Sequence, residues 1–122
     1  MQVDDSLLFS TTTSPTAFPN HRKVVQYVAH ADNRESSAGH GSHVAGTIAG
    51  NTLHCARKEQ KFNGIAMGAK LAIFDMGVAG STVLDPPDDL ADMFDAAKVA
   101  GARVHVNSWG TLPNMRTLYY SV

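Results

Sequence analysis

The residues most able to do chemistry are concentrated between Gly39 and Gly50, in the run GHGSHVAGTIAG. His40 and His43 stand three apart at the head of a small, apolar segment, so a helix there carries both imidazoles on one side. An imidazole titrates near neutral pH and serves as a general base or acid. It also serves, when neutral, as a metal ligand, and His30, Asp32 and Glu35 lie just upstream as further donors for a zinc site. Against zinc, the two histidines lack the four-residue spacing of an H-E-x-x-H helix, and no glutamate follows His40. A plainer alternative makes His40 a helix-capping residue with a structural hydrogen bond. Gly41, Gly46 and Gly50 interrupt the same segment. Each costs about 1 kcal/mol relative to alanine in a helix interior. Close packing normally offsets that cost, so the pattern predicts a helix pressed into a core with His40 at its N-terminal end. Gly50-Asn51 suits a C-terminus that needs a left-handed residue.

Other reactive side chains have structural explanations beside functional ones. Cys55 is the lone cysteine; it is either a thiol near the histidine segment or inert packing. Asp85, Asp88 and Asp89 are candidate calcium ligands, but acids in the first turn of a helix are also favoured by its dipole. Met67 reads as core filler, and Trp109 as either a cleft wall or packing. The basic run His21-Arg22-Lys23 reads as a solvated approach to a strand.

The elements that must position these residues alternate in type. Ser10 to Asn20 is small, polar and proline-containing, a loop. Val24 to Val28 is β-rich and predicts a strand; residues 32–39 form a loop, and 51–63 a polar surface excursion. Lys70 to Phe74 (KLAIF) is short enough for a buried strand. After a loop at 77–87, Leu90, Met93, Phe94 and Ala97 recur at helical spacing within 88–100, with Gly101 as the stop. Val104 to Val106 predicts another short strand. The fold class is therefore α/β, a parallel sheet with flanking helices, with a βαβ unit over 70–108 and a right-handed crossover. In such sheets ligands bind beyond the carboxyl ends of the strands, which puts the loops after Phe74 and Val106 near any site. No internal repeat is present.

With 122 residues and 43% hydrophobic content, the chain is sized for one domain over 1–122 and is not globally disordered. A net charge of −1 and the absence of a basic stripe argue against a nucleic-acid partner. No apolar run approaches the roughly 20 residues of a membrane helix. The start, Met1 to Asp5, lacks the basic then apolar pattern of a secretory signal, and one cysteine builds no internal disulfide.

His40-Gly41-Ser42-His43-Val44-Ala45-Gly46 resembles the histidine signature H-G-T-H-V-A-G of the subtilisin-like serine proteases, the subtilases. Ser42 replaces threonine and keeps a hydroxyl. Asn63-Gly64-Ile65-Ala66-Met67-Gly68-Ala69-Lys70-Leu71 resembles the family's G-V-A-P-x-A-x-L block, with Met67 in the proline position. Val104 to Gly110 (VHVNSWG) resembles the strand that ends in N-S-W-G. The blocks run in family order over residues 39–110, inside a matched region of 24–110. Residues 1–23 match poorly, and 111–122 read as a tail.

The resemblance implies a partial subtilisin-like catalytic domain and endopeptidase cleavage of a peptide or protein substrate through an Asp/His/Ser triad. It makes His40 the general base, His43 a structural residue, and Ser108, Trp109 and Gly110 the lining of the substrate cleft. It requires no cofactor, although many subtilases carry calcium. Family members are mostly secreted or endomembrane proteins. No G-T-S-M-A-like serine motif follows Gly110, and the oxyanion asparagine that should lie between is also missing. The family aspartate sits in D-[ST]-G. Asp5-Ser6 falls at about the right distance before His40, but Leu7 replaces the glycine, and the alternative puts the aspartate before Met1. Two readings follow: a fragment of an active serine protease that is inactive alone, or a catalytically dead remnant that binds peptide or regulates.

Overall fold

The computed structural model describes residues 9–10, 17–35, 39–52 and 60–110. Three strands, β1 (Phe9–Ser10), β2 (Val24–Ala29) and β3 (Leu71–Asp75), form one sheet in the order β1-β2-β3. Both pairings are parallel: Phe9 sits opposite Tyr27, and β2 runs from Val24 opposite Leu71 to Ala29 opposite Asp75. A slip between Val24 and Gln26 interrupts the second ladder. β2 is the central strand, and β-branched valines suit it. Val24, Val25 and Val28 are buried on its two faces, as expected for a covered parallel strand. Gln26 is buried too, and its amide nitrogen donates to the Ala96 carbonyl at 2.9 Å, which satisfies a polar group that would otherwise be costly there.

Parallel neighbours need a long crossover. Between β2 and β3 it contains α1 (His40–Ala49), so a βαβ unit spans 24–75 around the histidine helix. The α/β parallel class is therefore as the sequence implies. The unit expected over 70–108 is only begun: β3 is followed by α2 (Leu90–Val99), but residues 102–110 join no strand among the described residues. Val104 and Val106 are 81% and 52% exposed. Two valines in a three-residue run bring little apolar area to a ladder. The segment is held instead by His105, whose ring lies 4.7 Å from that of Phe94 on α2.

Asp89 is the N-cap of α2 and accepts from the Ala91 N–H at 2.8 Å, so its carboxylate works one position outside the helix. The face of α2 that packs is centred on Met93 and Ala96. Leu90 and Phe94, assigned to the same stripe by spacing, are 45% and 48% exposed. Gly101, at φ 80°, stops the helix as the sequence implies.

Candidate active site

α1 begins at His40, with Gly39 as N-cap at φ 62°, ψ 18°. That left-handed conformation suits glycine, but it leaves the cap without a side chain to accept from the first-turn N–H groups. The Gly39 carbonyl takes the His43 N–H at 3.0 Å. The Ser42 N–H is taken from outside the helix by Glu35 Oε1 at 2.9 Å. His40 is exposed at the first helical position, and His43 is exposed one turn on. His43 borders a shallow depression of about 370 Å3, shared with Thr47, Asn51, Thr52 and Phe62.

The close packing expected of the helix glycines is only partly present. A Cβ at Gly41 or Gly46 would meet nothing within 4 Å. Gly50 is not left-handed, with φ −58°, ψ 140°, and its N–H returns to the Gly46 carbonyl. A Cβ at Gly50 would fall 2.5 Å from the Gly46 carbonyl oxygen, and the tight approach between segments lies at Gly64, where a Cβ would fall 2.7 Å from the backbone of Ile48, Ala49 and Gly50. This proximity lets the Gly64, Ile65 and Ala66 N–H groups bond the carbonyls of Gly50, Thr47 and Ile48 at 2.8, 3.2 and 2.7 Å, satisfying the C-terminal carbonyls of α1. Asn63 Oδ1 beside it accepts from both the N–H and the hydroxyl of Thr52, at 2.8 and 2.6 Å. The Asn63-Gly64 block thus acts as a clamp on α1. Met67 belongs to the clamp's surface, exposed where core filler was expected, and its carbonyl accepts from Lys23 Nζ at 2.9 Å.

At the carboxyl end of the sheet, Asp75 ends β3 half-buried. Its carboxylate accepts from the Tyr27 hydroxyl and, at 2.9 Å, from the Gly77 N–H. Burial pushes the Asp75 carboxyl above its ordinary range; the Tyr27 and Gly77 donors oppose this, and the charges of Asp32 and Glu35 add to it. Burial, then the Asp75 contact, raises the Tyr27 hydroxyl. Asp32, in the loop after β2, accepts from the Ala79 N–H at 2.7 Å and the Arg34 N–H at 2.7 Å, and these bonds hold its carboxyl below the usual range. It ties the loop after β2 to the loop after β3. Glu35 both bonds the first turn of α1 and acts on Asp75, so that turn and the carboxyl ends of β2 and β3 share one region. Asp75, Tyr27 and the capping role of Glu35 were missed in the sequence. The signal for Asp75 was an acid directly after the apolar run KLAIF.

Ser108, Trp109 and Gly110 lie in the exposed segment after α2, with Trp109 36% exposed. Asn107 Oδ1 accepts from the Trp109 indole at 3.2 Å and lies 2.9 Å from His105 Nε2. No hydrogen bond or ring contact among the described residues joins this segment to His40. Asp5 and Cys55 lie outside the described residues. Among the described residues no three His, Cys, Asp or Glu side chains are grouped to hold a metal ion, and Asp89 of the acidic trio is engaged as a cap. No helix among them is long and apolar enough to cross a membrane.

A model of the Subtilase family, Peptidase_S8, matches residues 4–120. Three curated proteins of Dictyostelium discoideum are similar. Serine protease/ABC transporter B family protein tagB is 40% identical over 108 residues, covering 85% of this chain. The corresponding tagD protein is 38% identical over 110 residues, again 85% of this chain. The tagA protein is 28% identical over 110 residues, 89% of this chain. The chain spans 6% of the length of each of these relatives. No solved structure matches.

Proposed function

The chain belongs to the subtilase family, and from that membership we propose that it forms the histidine-bearing part of a serine-type endopeptidase. His40 is the general base: it takes the proton of a serine hydroxyl as that oxygen attacks the peptide carbonyl, then gives it to the leaving amine. These are proton and acyl transfers between side chains and substrate, and they need no cofactor. The observation that carries the reading is the location of His40. It is exposed at the first position of α1, its helix pinned at one end by Glu35 and at the other by the Gly64 clamp. Ser108 to Gly110 are exposed and outside any strand among the described residues, so their backbone is open to pairing with a substrate strand. The 122 residues hold no Gly-Thr-Ser-x-Ala motif; in this reading the nucleophile is supplied by other sequence, and these residues alone should not hydrolyse peptides.

The test is covalent labelling. A fluorophosphonate probe reacts with a serine whose hydroxyl an adjacent base has activated. Expressed together with its flanking coding sequence, the protein should be labelled, and His40→Ala should abolish labelling. Undiminished labelling in His40→Ala would refute the assignment.

A further inference from the structure

We infer that Glu35 is a positioning residue for His40, capping the first turn of α1 from outside the helix and thereby fixing the direction in which the base points. The inference rests on His40 being the general base. A helix leaves its first N–H groups without partners, and a side chain at the N-cap normally accepts one of them. Here the N-cap is Gly39, which has no side chain and sits at a positive φ that L side chains rarely adopt. The cap therefore cannot be built where helices usually carry it. Glu35 supplies it from seven residues upstream, with Oε1 2.9 Å from the Ser42 nitrogen. The same oxygen passes beside the turn, 3.9 Å from where a Cβ on Gly39 would stand.

His40 lies between Gly39, whose carbonyl accepts from the His43 N–H, and Ser42, whose N–H is held by Glu35, so hydrogen bonds tie the backbone on both sides of it. A carboxylate on this N–H also makes a charge-assisted bond and complements the positive end of the helix dipole. The other carboxylates in the region are held by separate partners. Asp32 is bonded to the Ala79 and Arg34 N–H groups, and Asp75 to Tyr27 and the Gly77 N–H. Neither replaces Glu35 at Ser42. A triad base displaced slightly from its productive orientation loses rate without losing substrate affinity.

The experiment is steady-state peptide hydrolysis by the protein expressed with its flanking sequence. Rates are normalised to folded protein, quantified by size-exclusion chromatography and circular dichroism, so that unfolded molecules do not enter kcat. Glu35→Ala should lower kcat about tenfold with KM within about twofold. Glu35→Gln keeps an acceptor oxygen at the same reach and should recover most of the rate. Glu35→Asp keeps the charge but draws the oxygen back by one methylene, and should resemble the alanine variant. An unchanged kcat in Glu35→Ala, or full activity in Glu35→Asp, would overturn the inference while leaving the function standing, provided His40→Ala is inactive. An active His40→Ala would overturn both.

Discussion

Gly64→Ala should be among the most damaging single-methyl additions in this chain. The new Cβ would lie 2.7 Å from Ala49 N, Gly50 N and Ile48 C, all of them backbone. That is short of a comfortable contact by roughly 0.8 Å, and no rotamer change relieves it. Either the 64–66 segment or the last turn of α1 must retreat. Overpacking of this kind costs about 1–3 kcal/mol. The retreat also stretches three backbone hydrogen bonds, from Gly64, Ile65 and Ala66 to Gly50, Thr47 and Ile48. Each contributes about 1 kcal/mol when made. The total is about 2–5 kcal/mol, a large share of the roughly 5–15 kcal/mol available to a domain. Urea titration of the protein expressed with its flanking sequence, followed by far-ultraviolet circular dichroism, reads this as a lower midpoint at unchanged slope. Gly68→Ala is the matched control, because its Cβ meets nothing within 4 Å; it should stay within about 0.5 kcal/mol of the parent. Equal midpoints for the two variants would refute the clamp.

Gly46→Ala should stabilise by about 0.5–1 kcal/mol, since its Cβ enters open space in a helix interior and alanine restricts the unfolded chain; a lower urea midpoint would contradict this. Asp75→Asn should flatten the dependence of stability on pH. The Asp75 carboxyl is raised in the folded state, so its contribution is complete below the unfolded value near 3.8 and is lost as pH climbs through the higher folded value. Midpoints at a series of pH values check the sign, and the parent should lose stability relative to Asp75→Asn as pH rises across that window. Asp32→Asn should act in the opposite sense. Its carboxyl is lowered by the Ala79 and Arg34 N–H groups, so its contribution is present above 3.8 and lost as pH falls through the lower folded value. The variant should therefore be less stable at neutral pH and converge with the parent in acid.

What the sequence made legible was mostly local. A valine-rich run became β2, KLAIF became most of β3, and small residues after Gly39 became a helix starting at His40. Each is set by side-chain branching, length and glycine punctuation within one segment. Errors arose where a segment's fate depended on a distant neighbour. Val104 to Val106 has the composition of a strand, yet strand formation requires a ladder partner, and the segment rests against Phe94 instead. Leu90 and Phe94 share the period of Met93 but not its burial; the buried side of α2 is that of Met93 and Ala96, where Gln26 of the sheet bonds the Ala96 carbonyl. Gly41, Gly46 and Gly50 looked like contact points, whereas only Gly50 is tight, against its own helix, and the contact between segments falls on Gly64. His40 stood out because its motif is contiguous. Glu35 and Asp75 did not, since each works through partners the chain brings together only on folding: Ser42 for one, Tyr27 and Gly77 for the other.

The most direct test of the central claim is the turnover of a peptide substrate by the protein expressed with its flanking sequence, parent against His40→Ala. Removing the base from a serine triad costs on the order of a millionfold in kcat, as it does in subtilisin. A loss of that order is expected, with the fold intact by circular dichroism. A His40→Ala protein that keeps turning over at a rate near the parent's would contradict it.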